Sequence, residues 1–101
     1  MDKTTLRIYH SDIDAAQNVG YGIEEEGLPY EIISSDTPEE DAVRDVSSGG
    51  FGVSVSVGRS GIGIYYDGHR GEGPFVTADV SSGKRAGQNA ARIVKQKPLD
   101  L

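Results

Sequence analysis

The chain has 101 residues, 36% of them hydrophobic, with no Cys, no Trp and a formal net charge of −6. That length bounds it to one domain (1–101) around a single modest core. The absence of Cys excludes a disulfide framework and a thiolate zinc site, and no apolar run is long enough to span a bilayer. The acidic balance argues against nucleic acid, whose binders carry a concentrated basic patch.

No N-terminal basic-then-apolar segment is visible, so a soluble cytoplasmic protein is expected. The charge is unevenly spread. Residues 1–45 hold twelve acids and three bases, whereas residues 46–101 hold four acids and seven bases. Five of those bases, Lys84, Arg85, Arg92, Lys95 and Lys97, lie near the C-terminus. A protein partner with basic and acidic zones fits this polarity.

Thr5-Leu6-Arg7-Ile8-Tyr9 alternates in polarity and predicts a first strand. His10-Ser11-Asp12 is turn chemistry, with Ser11 or Asp12 as the cap of a following helix. Ile13, Ala16, Gly20 and Ile23 recur at helical spacing and mark its buried face. Asn18, Gly20 and Gly22 weaken its intrinsic propensity, so tertiary packing must hold it, and Gly20 would let it sit close to a sheet. The helix ends in Glu24-Glu25-Glu26 followed by Gly27-Leu28-Pro29. Gly27 suits a left-handed C′ position, Leu28 the apolar contact of a Schellman cap, and Pro29 prevents continuation.

Three carboxylates at the negative end of a helix dipole ask for a compensating cation, either a metal or a basic partner surface; a solvated acidic face is the alternative. Sorted at about 100° per residue from Ile23, Glu25 points outward and Glu24 and Glu26 flank the core face.

Tyr30-Glu31-Ile32-Ile33 reads as a second strand. Thr37-Pro38-Glu39-Glu40 is a helix start in capping-box form, and that helix should turn Ala42, Val43 and Val46 inward. Phe51 to Val57 forms a third strand, valines on one face and serines on the other, and Ile62 to Tyr66 a fourth. The four residues between them are too few for a crossover, so this pair must be an antiparallel hairpin. Ser54, Ser56 and Gly63 give it a small-residue face open to a close helix or a partner backbone.

The loop Asp67 to Pro74 is glycine-rich but has neither P-loop nor dinucleotide spacing, so no phosphate site is assigned. His10 and His69 stand apart, each read as a surface or turn residue, and no catalytic constellation converges. Phe75 to Ala78 predicts a fifth strand, and Lys84 to Lys95 a helix of small residues able to lie flat on a sheet. Arg92, Lys95 and Lys97 suit its C-terminal end. The expected fold is an α/β three-layer sandwich: three helices and a mixed, mostly parallel sheet of about five strands, one antiparallel.

Gly22-Ile23-Glu24-Glu25-Glu26-Gly27-Leu28-Pro29-Tyr30, together with Asn89-Ala90-Ala91-Arg92-Ile93-Val94-Lys95 and Pro98, resembles the small (beta) subunits of diol and glycerol dehydratase reactivating factors. The resemblance implies a non-catalytic subunit working with a large Hsp70-like ATPase subunit. It also implies exchange with the medium subunit of a coenzyme B12-dependent dehydratase, so that damaged cobalamin leaves. It gives the middle acid of the triplet, here Glu25, a divalent cation such as Mg²⁺ at the contact with the large subunit. Glu24, Glu25 and Glu26 would then form part of the partner interface, in the cytoplasm or in association with a bacterial microcompartment. The chain alone would bind no cofactor. Two other readings are a medium-subunit-like structural component of the dehydratase and a free-standing small-ligand-binding regulatory α/β domain.

Overall fold

The structure is a computed structural model and describes residues 4–48, 50–68 and 73–101. Its elements, in chain order, are β1 (Leu6–His10), α1 (Ile13–Glu25), β2 (Tyr30–Ser34), α2 (Pro38–Val46), β3 (Val53–Gly58), β4 (Gly61–Tyr66), β5 (Val76–Ala78), a 3₁₀ turn (Val80–Ser82) and α3 (Gly83–Val94). One sheet holds the five strands in the order β2-β1-β3-β4-β5. β1 pairs in parallel with both β2 and β3, while β4 is antiparallel to β3 and to β5. Four strands therefore share one direction and β4 alone opposes them. The short loop between β3 and β4 closes the predicted hairpin, with Gly58 opposite Gly61.

The period-2 alternation of the strands sorts the two faces. Leu6, Ile8, Val55, Val57, Ile62 and Ile64 are buried on the face covered by α1 and α3. Each such side chain contributes about 1.5–3 kcal/mol by leaving water. The opposite face of β3 is also closed. Ser54 is fully buried there, and its hydroxyl donates to the Ala42 carbonyl of α2 at 2.6 Å. The small-residue face thus receives a helix of the same chain, and the sheet lies between two helical layers.

The α1–α3 contact explains why two weak helices persist. The helices run in the same sense, Gly83 lying against Ala15, Gly87 against Val19, and Lys95 against Glu26. Gly22 and Gly87 are the close-approach points. A Cβ on Gly22 would stand 2.0 Å from the Lys84 carbonyl oxygen, and one on Gly87 1.9 Å from that of Val19. α1 consequently buries more than a single stripe. Ala15, Val19 and Gly22 join Ala16, Gly20 and Ile23, because the helix meets both the sheet and α3. Gly20 does give close approach to the sheet, against the Tyr30 ring of β2. Ile13, predicted to face inward, sits in the first turn beyond that contact and is 49% exposed.

Other local expectations change at element ends. Asp12 caps α1, accepting from the Ala15 amide at 3.3 Å. Thr37 makes no side-chain cap on α2; Ser35 takes over the turn, accepting from the Thr37 amide and donating to Asp41. Of the three predicted inward residues of α2, Ala42 is buried, Val46 half-buried and Val43 exposed, since so short a helix presents one narrow stripe to β3 and β1. β3 begins at Val53, after Phe51. His10 is buried at the end of β1, and its Nδ1 has no hydrogen-bond partner among the described residues. The reading of His10 as a surface residue is corrected by the same alternation that buries Leu6 and Ile8. His69 lies outside the described residues.

Candidate functional site

The acidic triplet sits where α1 stops. Gly27 adopts φ +82°, its amide donates to the Glu24 carbonyl at 2.9 Å, and the Leu28 amide donates to that of Ile23 at 3.3 Å. This is a Schellman cap, and it fixes the directions in which Glu24, Glu25 and Glu26 leave the helix.

The three carboxylates meet different surroundings. Glu26, expected to flank the core, packs inward against the last turn of α3. Its side chain is 16% exposed, with Lys95 Nζ at 2.9 Å and Arg92 Nε at 3.5 Å. Lys95 also donates to the Glu26 backbone carbonyl at 2.7 Å, supplying a cation to the negative end of α1 from another element. The Lys95 ammonium, helped by Arg92, holds the Glu26 carboxyl below the ordinary glutamate range.

Glu25 points away from the core, as its helix angle implies, and reaches the start of α3. Lys84 Nζ stands 3.0 Å from Oε1, and the Gln88 amide donates to Oε2 at 2.8 Å. The Lys84 hydrogen bond lowers the Glu25 pKa. Its side chain stays 46% exposed. Glu24 is exposed, with no ion pair or side-chain hydrogen bond among the described residues.

The compensating cations that the triplet asks for are therefore present within the chain, as Lys84, Arg92 and Lys95. The acidic first half and the basic last helix close on each other at this corner. Among the described residues no group of three or more His, Asp or Glu is arranged to hold a metal. What the corner offers outward is one free carboxylate, Glu24, and one half-exposed carboxylate, Glu25, on a rigid stop.

A second place is set by topology. β1 to β2 runs through α1 on one face, and β2 to β3 returns through α2 on the other. The switch between β1 and β3 therefore opens a crevice at the strands' carboxyl ends, where α/β sheets commonly bind ligands. It measures about 400 Å³, lined by Ser11, Thr37, Glu39, Glu40, Arg59 and Ser60 among others. Two acids beside the helix N-terminus oppose binding of a phosphate there. No helix of the described residues is long and apolar enough to cross a membrane.

Comparison with known proteins follows the same outline. The family model described as dehydratase medium subunit matches residues 4–100. Among solved structures, a chain of diol dehydratase-reactivating factor complexed with ADP and Mg²⁺ is similar at a TM-score of 0.82 and 23% identity, over 99% of this chain and 100% of that one. A chain of glycerol dehydratase reactivase is similar at a TM-score of 0.83 and 22% identity, with 98% of each chain covered. Comparison with curated proteins gives no match. At these identities the structural likeness establishes the fold.

Proposed function

Because this chain belongs to the dehydratase medium-subunit family, we propose that it is the small subunit of a chaperone-like reactivating factor for a coenzyme B12-dependent diol or glycerol dehydratase. One observation carries the reading. The reactivating-factor chains are matched over essentially their whole length as well as this one's. A chain with the medium subunit's fold has the shape to take the medium subunit's place in the dehydratase. Exchange of the two would open the enzyme and let damaged cobalamin leave. The chain converts no substrate on this reading, and ATP hydrolysis belongs to a large Hsp70-like partner subunit. The site of action is the cytoplasm or a bacterial microcompartment.

The interface with that partner includes Glu24 and Glu25, with Glu25 as a ligand to Mg²⁺ shared between the subunits, while Glu26, also expected at that interface, supports it from within through Lys95 and Arg92. The donor chemistry fits. Mg²⁺ is commonly held by one or two carboxylates, the remaining positions going to water and phosphate oxygens. Glu25 presents a half-exposed carboxylate of hard oxygen donors, held in this chain by the exposed Lys84 side chain and by Gln88. The other ligands come from the partner and from water.

The test is co-elution with the large subunit, with ADP and with or without Mg²⁺. A stable complex is expected, and Glu25→Gln should reduce its Mg²⁺ dependence. A chain that stays alone under all conditions contradicts the proposal. The family description itself favours a second reading, a structural component of the dehydratase. Permanent association with the dehydratase large subunit, and none with the ATPase, would establish that one.

A further inference from the structure

The two paired acids of the triplet are held by cations from opposite ends of α3. Arg92 and Lys95 lie at its C-terminal end, where the helix dipole favours positive charge, and they hold the largely covered Glu26. Lys84 lies in the first turn of α3, where the dipole disfavours a cation, and Glu25 lies in the last turn of α1, where it disfavours an anion. Each charge is misplaced on its own helix and finds its partner only because Gly22 and Gly87 bring the helices so close. The pair is open to water on both sides, Lys84 being 59% and Glu25 46% exposed. Exposed pairs of this kind are weak and exchangeable.

We infer that Lys84 is a displaceable internal cation: it holds the Glu25 carboxylate in the free subunit and gives it up to a divalent cation on assembly. The inference rests on the reading of Glu25 as a metal ligand. Both oxygens of Glu25 are engaged, Oε1 by Lys84 and Oε2 by Gln88. A doubly charged ion at that carboxylate would face the Lys84 ammonium at contact distance, so the ammonium must swing away. Its flexible stem allows this, and loss of the pair leaves α3 in place, because the helix contact is made by the Lys84 backbone against Gly22. The firm Glu26 pairs keep the corner folded while Glu25 changes partner. Free subunit thus carries a neutralised site and holds the metal only weakly until Lys84 is displaced and a partner supplies the remaining ligands.

The experiment titrates Mn²⁺ into the ¹⁵N-labelled chain, reading paramagnetic broadening at Glu25. In parallel, Mg²⁺ is titrated into the chain with the large subunit, reading assembly by sedimentation. Lys84→Met keeps the apolar stem and removes the charge. It should lower the half-effect concentration in both titrations about two- to fivefold, the range an exposed ion pair is worth. Lys84→Arg should behave like the parent, and Glu25→Gln should abolish both responses. If Lys84→Met leaves both titrations unchanged or weakens them while Glu25→Gln still abolishes them, the displaceable cation is refuted and the metal reading stands. If Glu25→Gln changes neither titration, the metal reading fails and takes this inference with it.

Discussion

Gly87→Ala should destabilise the protein, although alanine is the better helix former. The added Cβ would lie 1.9 Å from the Val19 carbonyl oxygen and 2.8 Å from the Val19 carbonyl carbon. Real Cβ atoms essentially never come within 3.0 Å of a neighbour, so α1 and α3 must part by more than 1 Å. The obstacle is backbone in the middle of a helix, and no rotamer change relieves it. Overpacking of this kind costs about 1–3 kcal/mol, and the rigid obstacle puts this site at or beyond the upper end. The gain in helix propensity returns about 1 kcal/mol. The net loss is about 2 kcal/mol, or roughly 8–16 °C in Tm for a domain of this size. Urea unfolding followed by circular dichroism, with thermal melts, measures it. Gly83→Ala is the internal comparison, since its Cβ would meet Asn18 Cβ at 3.0 Å and the Ala15 oxygen at 3.1 Å, and it should cost less. A Gly87→Ala protein as stable as the parent would refute the close helix crossing.

Two further predictions follow from helix ends. Gln96 adopts φ +57° beyond α3, in a Schellman cap in which the Lys97 amide donates to the Arg92 carbonyl at 2.8 Å. Gln96→Gly removes the strain of a left-handed L-residue and should stabilise by about 0.5–1 kcal/mol in the same urea assay; a loss of stability would contradict that backbone assignment. The Glu26 carboxyl is held below the ordinary glutamate value, chiefly by Lys95. A depressed acid stabilises the fold above its unfolded-state value, about 4.3, and that stability is lost as pH falls through the folded-state value. An NMR titration of Glu26 should therefore have its midpoint below the ordinary glutamate value and move upward in Lys95→Met. A midpoint at or above the ordinary value in the parent would count against the ion pair.

Features governed by neighbouring residues were legible in the chain itself. The Val53–Val57 alternation, the short loop that compels a hairpin and the Gly27-Leu28-Pro29 stop each depend on contacts a few residues apart, and each appears as expected. The outward direction of Glu25 followed from helix geometry. What the triplet touches did not, because Lys84 and Lys95 arrive from the far end of the chain, Lys95 being 69 residues beyond Glu26. A helical period gives an angle around one axis but does not say which element packs beside it. For the same reason Gly22 and Gly87 carried no sign of being a pair: Gly22 read only as weak propensity, and Gly87 only as part of a small-residue helix lying flat on the sheet. Thr37 failed as a cap because Ser35 competes for the same turn. His10 was misread because its strand extends one residue further than the polar turn signal suggests.

Subunit exchange is read by following where the medium subunit goes. Dehydratase carrying damaged cobalamin would be mixed with this chain, the large ATPase subunit, ATP and Mg²⁺, and the subunits separated by native mass spectrometry. This chain should be bound in the medium subunit's place on one component, with displaced medium subunit elsewhere and cobalamin in the free fraction. Cobalamin release with every medium subunit still in its original dehydratase would contradict the exchange.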